Sequence, residues 1–384
     1  MLFTIVVVCK NEEKNIGRTI DSILKQQYKD FECLIVDGES DDNTLNIVKE
    51  YMEKDARIRC HSEKDNGIYE AMNRGASMAK GEYILFLNVK DVFADERVLA
   101  DVAQVLNEKK PDMLGGSMLV ERMTHNFVKK AIQNESLEEQ LKRGMTISHQ
   151  AIFAKKECFD KGFDLRYKIA ADYDWLCKQV IRGKNIYIYD RLIAVCDAYG
   201  VSAMAKNSKL VMAEDTLMRK ENFGMTKSPQ EERKDLEVRK KAKIAQLMND
   251  WLCLKCKKQE MESYFEKHNL KTIAIYGMHD LGMRLVDELE DTKIHIKYGI
   301  DRKCMFVNVP IPVITPDESM EPVDAIVVTA IVDYRTIKEM LEQKVDCTII
   351  SLEEIIHEMC EDIMTGEKNN LEVLYCWKEE LGCQ

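Results

Sequence analysis

Apolar runs and stretches of helical periodicity alternate along the N-terminal part of the chain. The runs at 3–8, 31–36 and 83–87 are mainly apolar, and short runs of this kind predict strands buried on both faces of a sheet. Residues 14–26 and 43–52 carry isoleucine, leucine and valine at helical spacing. Strand–helix alternation with short connections predicts right-handed crossovers and a mostly parallel sheet, so we expect an α/β fold.

The pattern changes twice further along the chain. We predict an N-terminal α/β domain at 1–205 and, where strands are lost, a helical connector at 206–270. A second strand–helix alternation then predicts a small Rossmann-like α/β domain at 271–358. A C-terminal tail at 359–384 follows, in which residues 371–381 indicate a short helix.

The connector has two interpretations. Several lysines and arginines lie beside a row of apolar residues on one face of the helix. The apolar residues are Ile244, Leu247, Met248, Trp251 and Leu252. The helix either packs between two domains or lies on an anionic membrane surface. Acidic residues on the same polar side favour packing. Cys253 and Cys256 form a C-x-x-C pair with no second pair at suitable spacing, which favours helix packing over a zinc site.

Charge and cysteine content narrow the classes of protein. The formal net charge is −11, so the chain lacks the basic character of a nucleic-acid-binding protein, and we expect no nucleic-acid partner. The 13 cysteines are scattered, and no secretory signal is evident at the N-terminus. This combination predicts reduced thiols and a cytoplasmic protein.

Three aspartates lie at the ends of predicted strands or in the loops that follow them. Asp37 ends the second apolar run, Asp65 lies in the next long loop, and Asp91 follows the run at 83–87. Ligands of parallel sheets bind beyond the carboxyl ends of the strands. Acids gathered there can accept hydrogen bonds from a base or a ribose and can hold a divalent cation.

Several short motifs occur in a fixed order over the first two hundred or so residues. They are the stretch at 4–12, V-D-G-x-S-x-D-x-T at 36–44, E-K-D-N-G-I-Y-E-A-M-N-R-G at 63–75, L-N-x-x-D at 87–91, S-H-Q at 148–150 and I-A-A-D-Y-D-W at 169–175. In order and spacing they resemble glycosyltransferase family 2, whose members have the GT-A fold. Each motif is weak alone, and their combination is specific.

The resemblance implies a role for each matched position. It implies a donor-nucleotide site, in which Asp37 contacts the base, formed by Cys9, Asn11, Glu12, Asp37, Asp65 and Asn73. It implies that Asp91 binds Mn²⁺ or Mg²⁺ against the donor diphosphate, and that Asp172 is the catalytic base. It also implies a pocket for the sugar or acceptor, lined by His149, Gln150, Asp174 and Trp175.

Two positions leave alternatives open. Lys90 stands before Asp91, where the family commonly has an acid or a small residue. Lys90 either contacts the diphosphate as a fixed charge or faces solvent. Asp174 is the rival of Asp172 as base, because the two would share a face along an extended stretch; the family pattern favours Asp172.

The C-terminal domain contains a partial nucleotide-binding motif. Gly277 and Gly282 follow a predicted strand, and Asp301 ends the next one, as in the dinucleotide fingerprint. His279 replaces the middle glycine and would obstruct close approach to a pyrophosphate. The domain is therefore either a module for oligomerisation or partner docking, or a nucleotide or nucleotide-sugar site.

These observations lead to one main functional hypothesis. We expect an inverting glycosyltransferase of hexosyltransferase type that moves a sugar from a nucleotide donor, a UDP-sugar by the resemblance, to a saccharide or lipid-linked saccharide in surface polysaccharide biosynthesis. A catalytically weakened nucleotide-sugar-binding scaffold is the alternative, and a two-activity enzyme is a third hypothesis. Peripheral contact with the inner face of the membrane and homo-oligomerisation stay open.

Overall fold

The computed structural model describes residues 1–122, 126–130, 135–198, 200, 204–227, 229–302 and 310–368. The chain divides into two compact units, one of Met1–Ala198 with Leu210–Ser228 and one of Tyr199–Lys209 with Pro229–Gln384. The domain boundaries given above stay predictions, and the helix predicted at 371–381 lies outside the described residues.

The first unit is built on a nine-stranded sheet. Its strands are β1 (Phe3–Cys9), β2 (Phe31–Asp37), β3 (Ile58–Ser62), β4 (Tyr83–Phe86), β5 (Val92–Phe93), β6 (Met113–Glu121), β7 (Phe127–Lys129), β8 (Ile152–Lys155) and β9 (Ile186–Asp197). Their order is β3-β2-β1-β4-β8-β6-β9-β5, with β7 paired to β6. The β3-β2-β1-β4 part is parallel, as predicted. On the other side of β4 the pairs β4–β8, β8–β6 and β9–β5 are antiparallel, and the pair β6–β9 is parallel.

Helices cover both faces of this sheet. They are α1 (Ile16–Leu24), α2 (Thr44–Lys54), α3 (Ile68–Met78), α4 (Val98–Lys109), α5 (Leu137–Arg143), α6 (Ala171–Ile181) and α7 (Ser208–Phe223). Successive side chains of a strand point to opposite faces. Ile5 of β1 accordingly packs with Ile20 of α1, whereas Val6 packs with Met72 of α3. The all-apolar sequence of the central strand is therefore explained by burial on both faces.

Strand register places the predicted site at the carboxyl edge of the parallel part. Cys9, the last residue of β1, pairs with Asp37, the last residue of β2. Asp37 in turn pairs with Ser62 at the end of β3. The polar residues that follow these strands therefore meet at one edge of the sheet.

The second unit contains a separate five-stranded sheet in which all pairs are parallel. Its strands are β10 (Thr272–Tyr276), β11 (His295–Ile300), β12 (Val313–Ile314), β13 (Ala325–Val328) and β14 (Thr348–Ser351), in the order β12-β11-β10-β13-β14. Its helices are α8 (Pro229–Cys256), α9 (Met261–Lys267), α10 (Asp280–Leu289), α11 (Tyr334–Leu341) and α12 (Leu352–Lys368). The predicted fold class, with a second parallel sheet, is confirmed. Within the described ranges, no helix combines the length and apolar content that a membrane crossing requires.

Candidate active site

Asp37 is the most enclosed acid at the carboxyl edge of the first sheet, with no exposed surface. Its Oδ2 accepts hydrogen bonds from the backbone N–H of Ser40 at 3.0 Å and from Oγ of Ser62 at 2.6 Å. Its Oδ1 accepts from Oγ of Ser40. The Cys9 thiol lies 3.7 Å from the same oxygen, and burial together with the Asp37 charge raises the pKa of that thiol. Cys9 is therefore a neutral neighbour of a fixed carboxylate.

Asp65 approaches the same edge from the loop after β3. A Cβ atom added at Gly38 would lie 2.5 Å from Oδ2 of Asp65, so only glycine leaves room for this carboxylate. The other oxygen of Asp65 accepts from the backbone N–H of Gly67 at 3.0 Å. The structure thus brings Asp65 against the residue that follows Asp37.

The loop after β1 is tied to the loop after β2. The backbone N–H of Asn11 donates to Oγ of Ser40 at 2.8 Å, and the Asn11 side chain accepts from the backbone N–H of Asp41 at 3.0 Å. The backbone N–H of Glu12 donates to Oγ1 of Thr44 at 2.7 Å. Asn11 and Glu12 therefore shape the edge next to Asp37.

Asn73 on α3 makes a two-way bond with a distant loop. Its Nδ2 donates to the carbonyl oxygen of Phe163 at 2.9 Å, and its Oδ1 accepts from the N–H of the same residue at 2.6 Å. Both ends of the amide thus hold the Phe163 backbone. The role of Asn73 in binding the donor nucleotide stays a prediction.

Asp91 lies in the loop after β4 and is buried. Its Oδ2 accepts a hydrogen bond from Nε2 of Gln150 at 3.2 Å. Thr19 of α1 anchors this loop, because its hydroxyl donates to the Asp91 carbonyl at 3.0 Å and accepts from the Lys90 N–H at 3.1 Å. Lys90 has a backbone φ of 81°, in the left-handed region that residues other than glycine rarely adopt.

Asp172, the second residue of α6, is held on both oxygens. Oδ1 accepts from the Tyr69 hydroxyl at 2.9 Å, and Oδ2 lies 2.6 Å from Nδ1 of His149. Nε2 of His149 lies 3.5 Å from Oδ1 of Asn88. Burial by itself would raise the pKa of Asp172, but the hydrogen bond and charge of His149, with the Tyr69 bond, hold it below its usual range. Asp172 is therefore an anion at neutral pH.

The two predicted acids of the reaction are connected by adjacent residues. His149 and Gln150 occupy one short 3₁₀ turn, His149–Ala151. His149 contacts Asp172, and Gln150 contacts Asp91. The structure thus brings four of the predicted residues into one cluster.

Asp174 and Trp175 lie outside this cluster. Asp174 is 1% exposed and accepts from Nζ of Lys178 at 2.6 Å and from Nδ2 of Asn222 at 2.8 Å. The expectation that Asp172 and Asp174 share a face along an extended stretch is wrong, because both lie on helix α6. Residues two positions apart on a helix point roughly 200° apart. Trp175 stacks on Phe159 with ring centroids 4.7 Å apart, in the core of the unit.

Two residues of the site were not predicted from the sequence. Tyr69 lies inside the motif at 63–75, but the sequence predicted no role for it. Glu214 of α7 carried no signal, yet its carboxylate accepts from three successive backbone N–H groups, those of Lys168, Ile169 and Ala170, at 2.7, 2.8 and 2.9 Å. These residues lead directly into α6 and so position Asp172.

The partial fingerprint of the second unit has its own closed geometry. Oδ2 of Asp301 accepts from the backbone N–H of Met278 at 2.9 Å. A Cβ atom added at Gly282 would lie 2.2 Å from the Gly277 carbonyl oxygen. The hydroxyl of Thr329 also donates a hydrogen bond to that carbonyl oxygen. Asp301 therefore binds the loop itself, in the place where a fingerprint acid would bind a ribose.

Comparison with known proteins identifies a relationship for the first unit. The sequence model described as Glycosyl transferase family 2 matches residues 4–165. A PGL/p-HBAD biosynthesis glycosyltransferase of Mycobacterium tuberculosis is 34% identical over 177 residues, which are 45% of this chain and 68% of the relative. Glycosyltransferase GlyG of Streptococcus pneumoniae is 35% identical over 117 residues, covering 30% of this chain and 38% of the relative.

Two solved structures show weaker overall similarity. Residues 1–349 of S. aureus TarS in complex with UDP align with a TM-score of 0.45 and 20% identity, over 62% of this chain and 70% of that one. The mannosyltransferase PcManGT from Pyrobaculum calidifontis, in complex with GDP-Man and Mn²⁺, aligns with a TM-score of 0.46 and 18% identity, over 64% and 74% of the two chains. Scores this low support no argument about ligands.

Proposed function

Because this chain belongs to glycosyltransferase family 2, we propose that it transfers a sugar from a nucleoside-diphosphate donor to an acceptor hydroxyl, with inversion at the anomeric carbon. The observation that carries the proposal is the His149–Gln150 pair, which contacts Asp172 on one side and Asp91 on the other. An acid for the donor diphosphate and a proton-accepting group for the acceptor are thereby held in one cluster.

The donor nucleotide is assigned to the carboxyl edge of β1, β2 and β3. Asp65, Gly38 and the loop that carries Asn11 form this edge. Asp37 is fully buried and satisfied by Ser40 and Ser62, so we assign to it the shaping of the edge, and its contact with a base stays a prediction. UDP is the donor nucleotide that we expect from the family resemblance, and the nucleotide screen described below tests it against GDP.

Asp91 is the residue that we assign to a divalent cation. Within the described part of the chain, no three His, Cys, Asp or Glu side chains come together as a metal site. A single carboxylate such as Asp91 can hold a hard cation that takes its remaining oxygen ligands from substrate phosphates and water. Bound there, Mn²⁺ or Mg²⁺ would neutralise the charge that develops on the leaving diphosphate.

The acceptor half of the site is assigned to the Asp172–His149 pair. A group that accepts the proton of the attacking hydroxyl must lie within hydrogen-bond reach of it, and this pair is fixed by Tyr69 from one side. One proton-accepting unit and one displacement invert the anomeric centre. We propose a saccharide or lipid-linked saccharide as acceptor, since the mycobacterial relative is named for the biosynthesis of PGL and p-HBAD.

The second unit is assigned to docking. Its fingerprint loop is closed by Asp301 and Thr329, and His279 stands where the fingerprint has a glycine. Both features favour a partner or oligomer module over a dinucleotide site.

A donor screen tests the proposal. The purified protein is mixed with UDP- and GDP-sugars and saccharide acceptors, with Mn²⁺ or with EDTA, and released nucleoside diphosphate is measured. We expect release with at least one donor in Mn²⁺, and NMR of the product should show an inverted anomeric configuration. The Asp172→Asn variant is the control for contaminating hydrolases. Donor binding without release under all conditions would support the nucleotide-sugar-binding scaffold instead.

A further inference from the structure

Lys129, the last residue of β7, is a half-buried lysine. Within the part of the chain that the structure describes, its Nζ makes no ion pair and no hydrogen bond. The next residue, Lys130, is exposed and lies 4.0 Å from a carboxylate oxygen of Asp190. Charged groups that are withdrawn from water are normally paired. Of these two lysines, the more enclosed one is therefore the one without a partner.

Strand pairing places Lys129 beside the turn that carries His149. Because β9 pairs along one edge of β6, β7 and β8 share the other edge. On that edge Ile152, the first residue of β8, lies opposite Gly115, and Lys129 lies opposite Met118, about 10 Å further along β6. The turn that ends next to Ile152 also contacts β6. Lys129 and His149 are thus neighbours along one strand edge.

The charge of Asp172 also reaches Lys129. Burial lowers the pKa of the Lys129 ammonium, and the Asp172 charge opposes this change. The two oxygens of Asp172 nevertheless contact Tyr69 and His149, at 2.9 and 2.6 Å. The ammonium therefore lies near the acceptor-side acid without being bound to it, and its three N–H donors are left for a substrate.

We infer that Lys129 binds an anionic group of the acceptor, a carboxylate or a phosphate, close to the hydroxyl that attacks the donor. The inference rests on the proposed function and names the class of acceptor within it. Asp172 keeps its assignment on the acceptor side, and Lys129 determines specificity. A lysine ammonium is a compact charge that suits either anion. A bound anion would supply the partner that the fold does not provide, through charge-assisted hydrogen bonds.

The acceptor is a better source of this anion than the donor. The donor diphosphate is assigned to Asp91, which contacts Gln150 in the loop after β4. The carboxylate whose charge acts on Lys129 is Asp172, on the acceptor side. A neutral acceptor would leave the ammonium enclosed and unpaired in the complex, whereas an anionic acceptor removes that cost. Selectivity for charged acceptors follows from this difference.

Matched acceptors test the inference. Methyl hexosides, methyl hexuronides and methyl hexoside 6-phosphates are compared, with the donor that the screen identifies, in wild type, Lys129→Met and Lys130→Met. We expect wild type to favour a charged acceptor over its neutral counterpart at least about tenfold in kcat/KM, and Lys129→Met to lose this preference. Lys130→Met is the matched control and should keep it. The hexuronide and phosphate series show which anion is bound.

The neutral acceptors separate specificity from an effect on Asp172. A lysine that only tuned this acid would, when replaced, lower kcat for neutral and charged acceptors alike, and that result would overturn the inference. A fall in donor-nucleotide affinity in Lys129→Met would also overturn it, because it would place the ammonium on the donor side. So would a wild type that shows no preference for charged acceptors.

A binding experiment gives an answer without turnover. The charged glycosides are titrated calorimetrically into protein saturated with UDP and Mn²⁺. We expect Lys129→Met to lose at least about tenfold of the wild-type affinity and Lys129→Arg to retain most of it. Loss of an unpaired, half-buried ammonium should not lower the unfolding temperature, which checks that the variant is folded. No binding to wild type, or equal binding to wild type and Lys129→Met, rejects this inference alone, whereas absence of nucleoside diphosphate release with every donor rejects the proposed function.

Discussion

Glu214 accepts a hydrogen bond from the backbone N–H of Ala170 at 2.9 Å, and Ala170 is the residue from which α6 starts. The same carboxylate also accepts from Lys168 and Ile169. One buried side chain of α7 therefore satisfies three successive donors of the segment that presents Asp172. Unpaired buried donors are costly, so this carboxylate fixes where α6 starts.

Removing this carboxylate should impair catalysis more than donor binding. Glu214→Ala leaves three N–H groups without their acceptor, that of Ala170 buried and those of Lys168 and Ile169 partly buried, at a cost of about 1–3 kcal/mol for each group that finds no water. We expect a lower unfolding temperature and a kcat reduced roughly tenfold or more through misplacement of Asp172. Glu214→Gln keeps an acceptor oxygen and should recover part of both losses.

Glu221 provides the matched control for this prediction. It lies on the same helix and binds the side chains of Arg166 at 2.9 Å and Tyr167 at 3.2 Å, whereas Glu214 binds backbone N–H groups of the segment that leads into α6. Glu221→Gln should leave kcat close to wild type. Equal kcat losses in the Glu214 and Glu221 variants would show that the effect is a general one of α7 stability.

Asp172 and Asp174 should respond differently to the same isosteric change. Asp172→Asn replaces the carboxylate of the Asp172–His149 pair with an amide that cannot accept a proton, and we expect kcat to fall at least about 100-fold with donor binding retained. Asp174→Asn weakens the pair with Lys178 and should lower stability while kcat stays within a few-fold. Steady-state kinetics and thermal unfolding measure the two effects. A larger kcat loss in Asp174→Asn would reverse the assignment.

This pair also shows what local sequence can and cannot predict. The buried strands at 3–8 and 31–36 were predicted to within one residue of β1 and β2, because their apolar content directly reflects burial on both faces. The relation of Asp172 to Asp174 depended on helix or strand geometry, and the motif did not contain that information. Motif order located the cluster but not the orientation of its members.

Contacts between distant segments account for the other omissions. Tyr69 and Asp172 are 103 residues apart, and Glu214 and Ala170 are 44 apart. Neither separation follows a local periodicity, so no pattern along the chain links the partners. The pairing of β6 with β9 is non-local in the same way. These features depend on the tertiary fold.

Asp91→Asn should weaken donor binding in a metal-dependent manner. The amide oxygen can still accept from Gln150, but the charge that would attract Mn²⁺ is lost. We expect the affinity for the donor nucleotide to fall at least about tenfold in Mn²⁺ and to change little in EDTA. Calorimetric titration under both conditions measures this difference.

Asp95→Asn is the control for Asp91→Asn. Asp95 lies four residues further on and is paired with Arg191 at 2.8 Å. Its removal should leave the ratio of affinities in Mn²⁺ and EDTA unchanged. An Asp91→Asn variant with the wild-type ratio would contradict the assignment of Asp91 to the cation.

Lys90 allows the backbone of the donor-side loop to be tested separately from its charge. Its φ of 81° is unfavourable for any residue with a Cβ atom. Lys90→Ala removes the ammonium and keeps this strain, whereas Lys90→Gly removes both. The difference between the two variants therefore isolates the backbone, at about 1 kcal/mol. We expect the glycine variant to unfold about 2–4 °C higher than the alanine variant, as measured by scanning calorimetry.

Both variants lose the same charge, so their kcat/KM values in Mn²⁺ should change equally. Greater stability of the alanine variant would show that the loop relaxes out of the left-handed conformation when Lys90 is replaced.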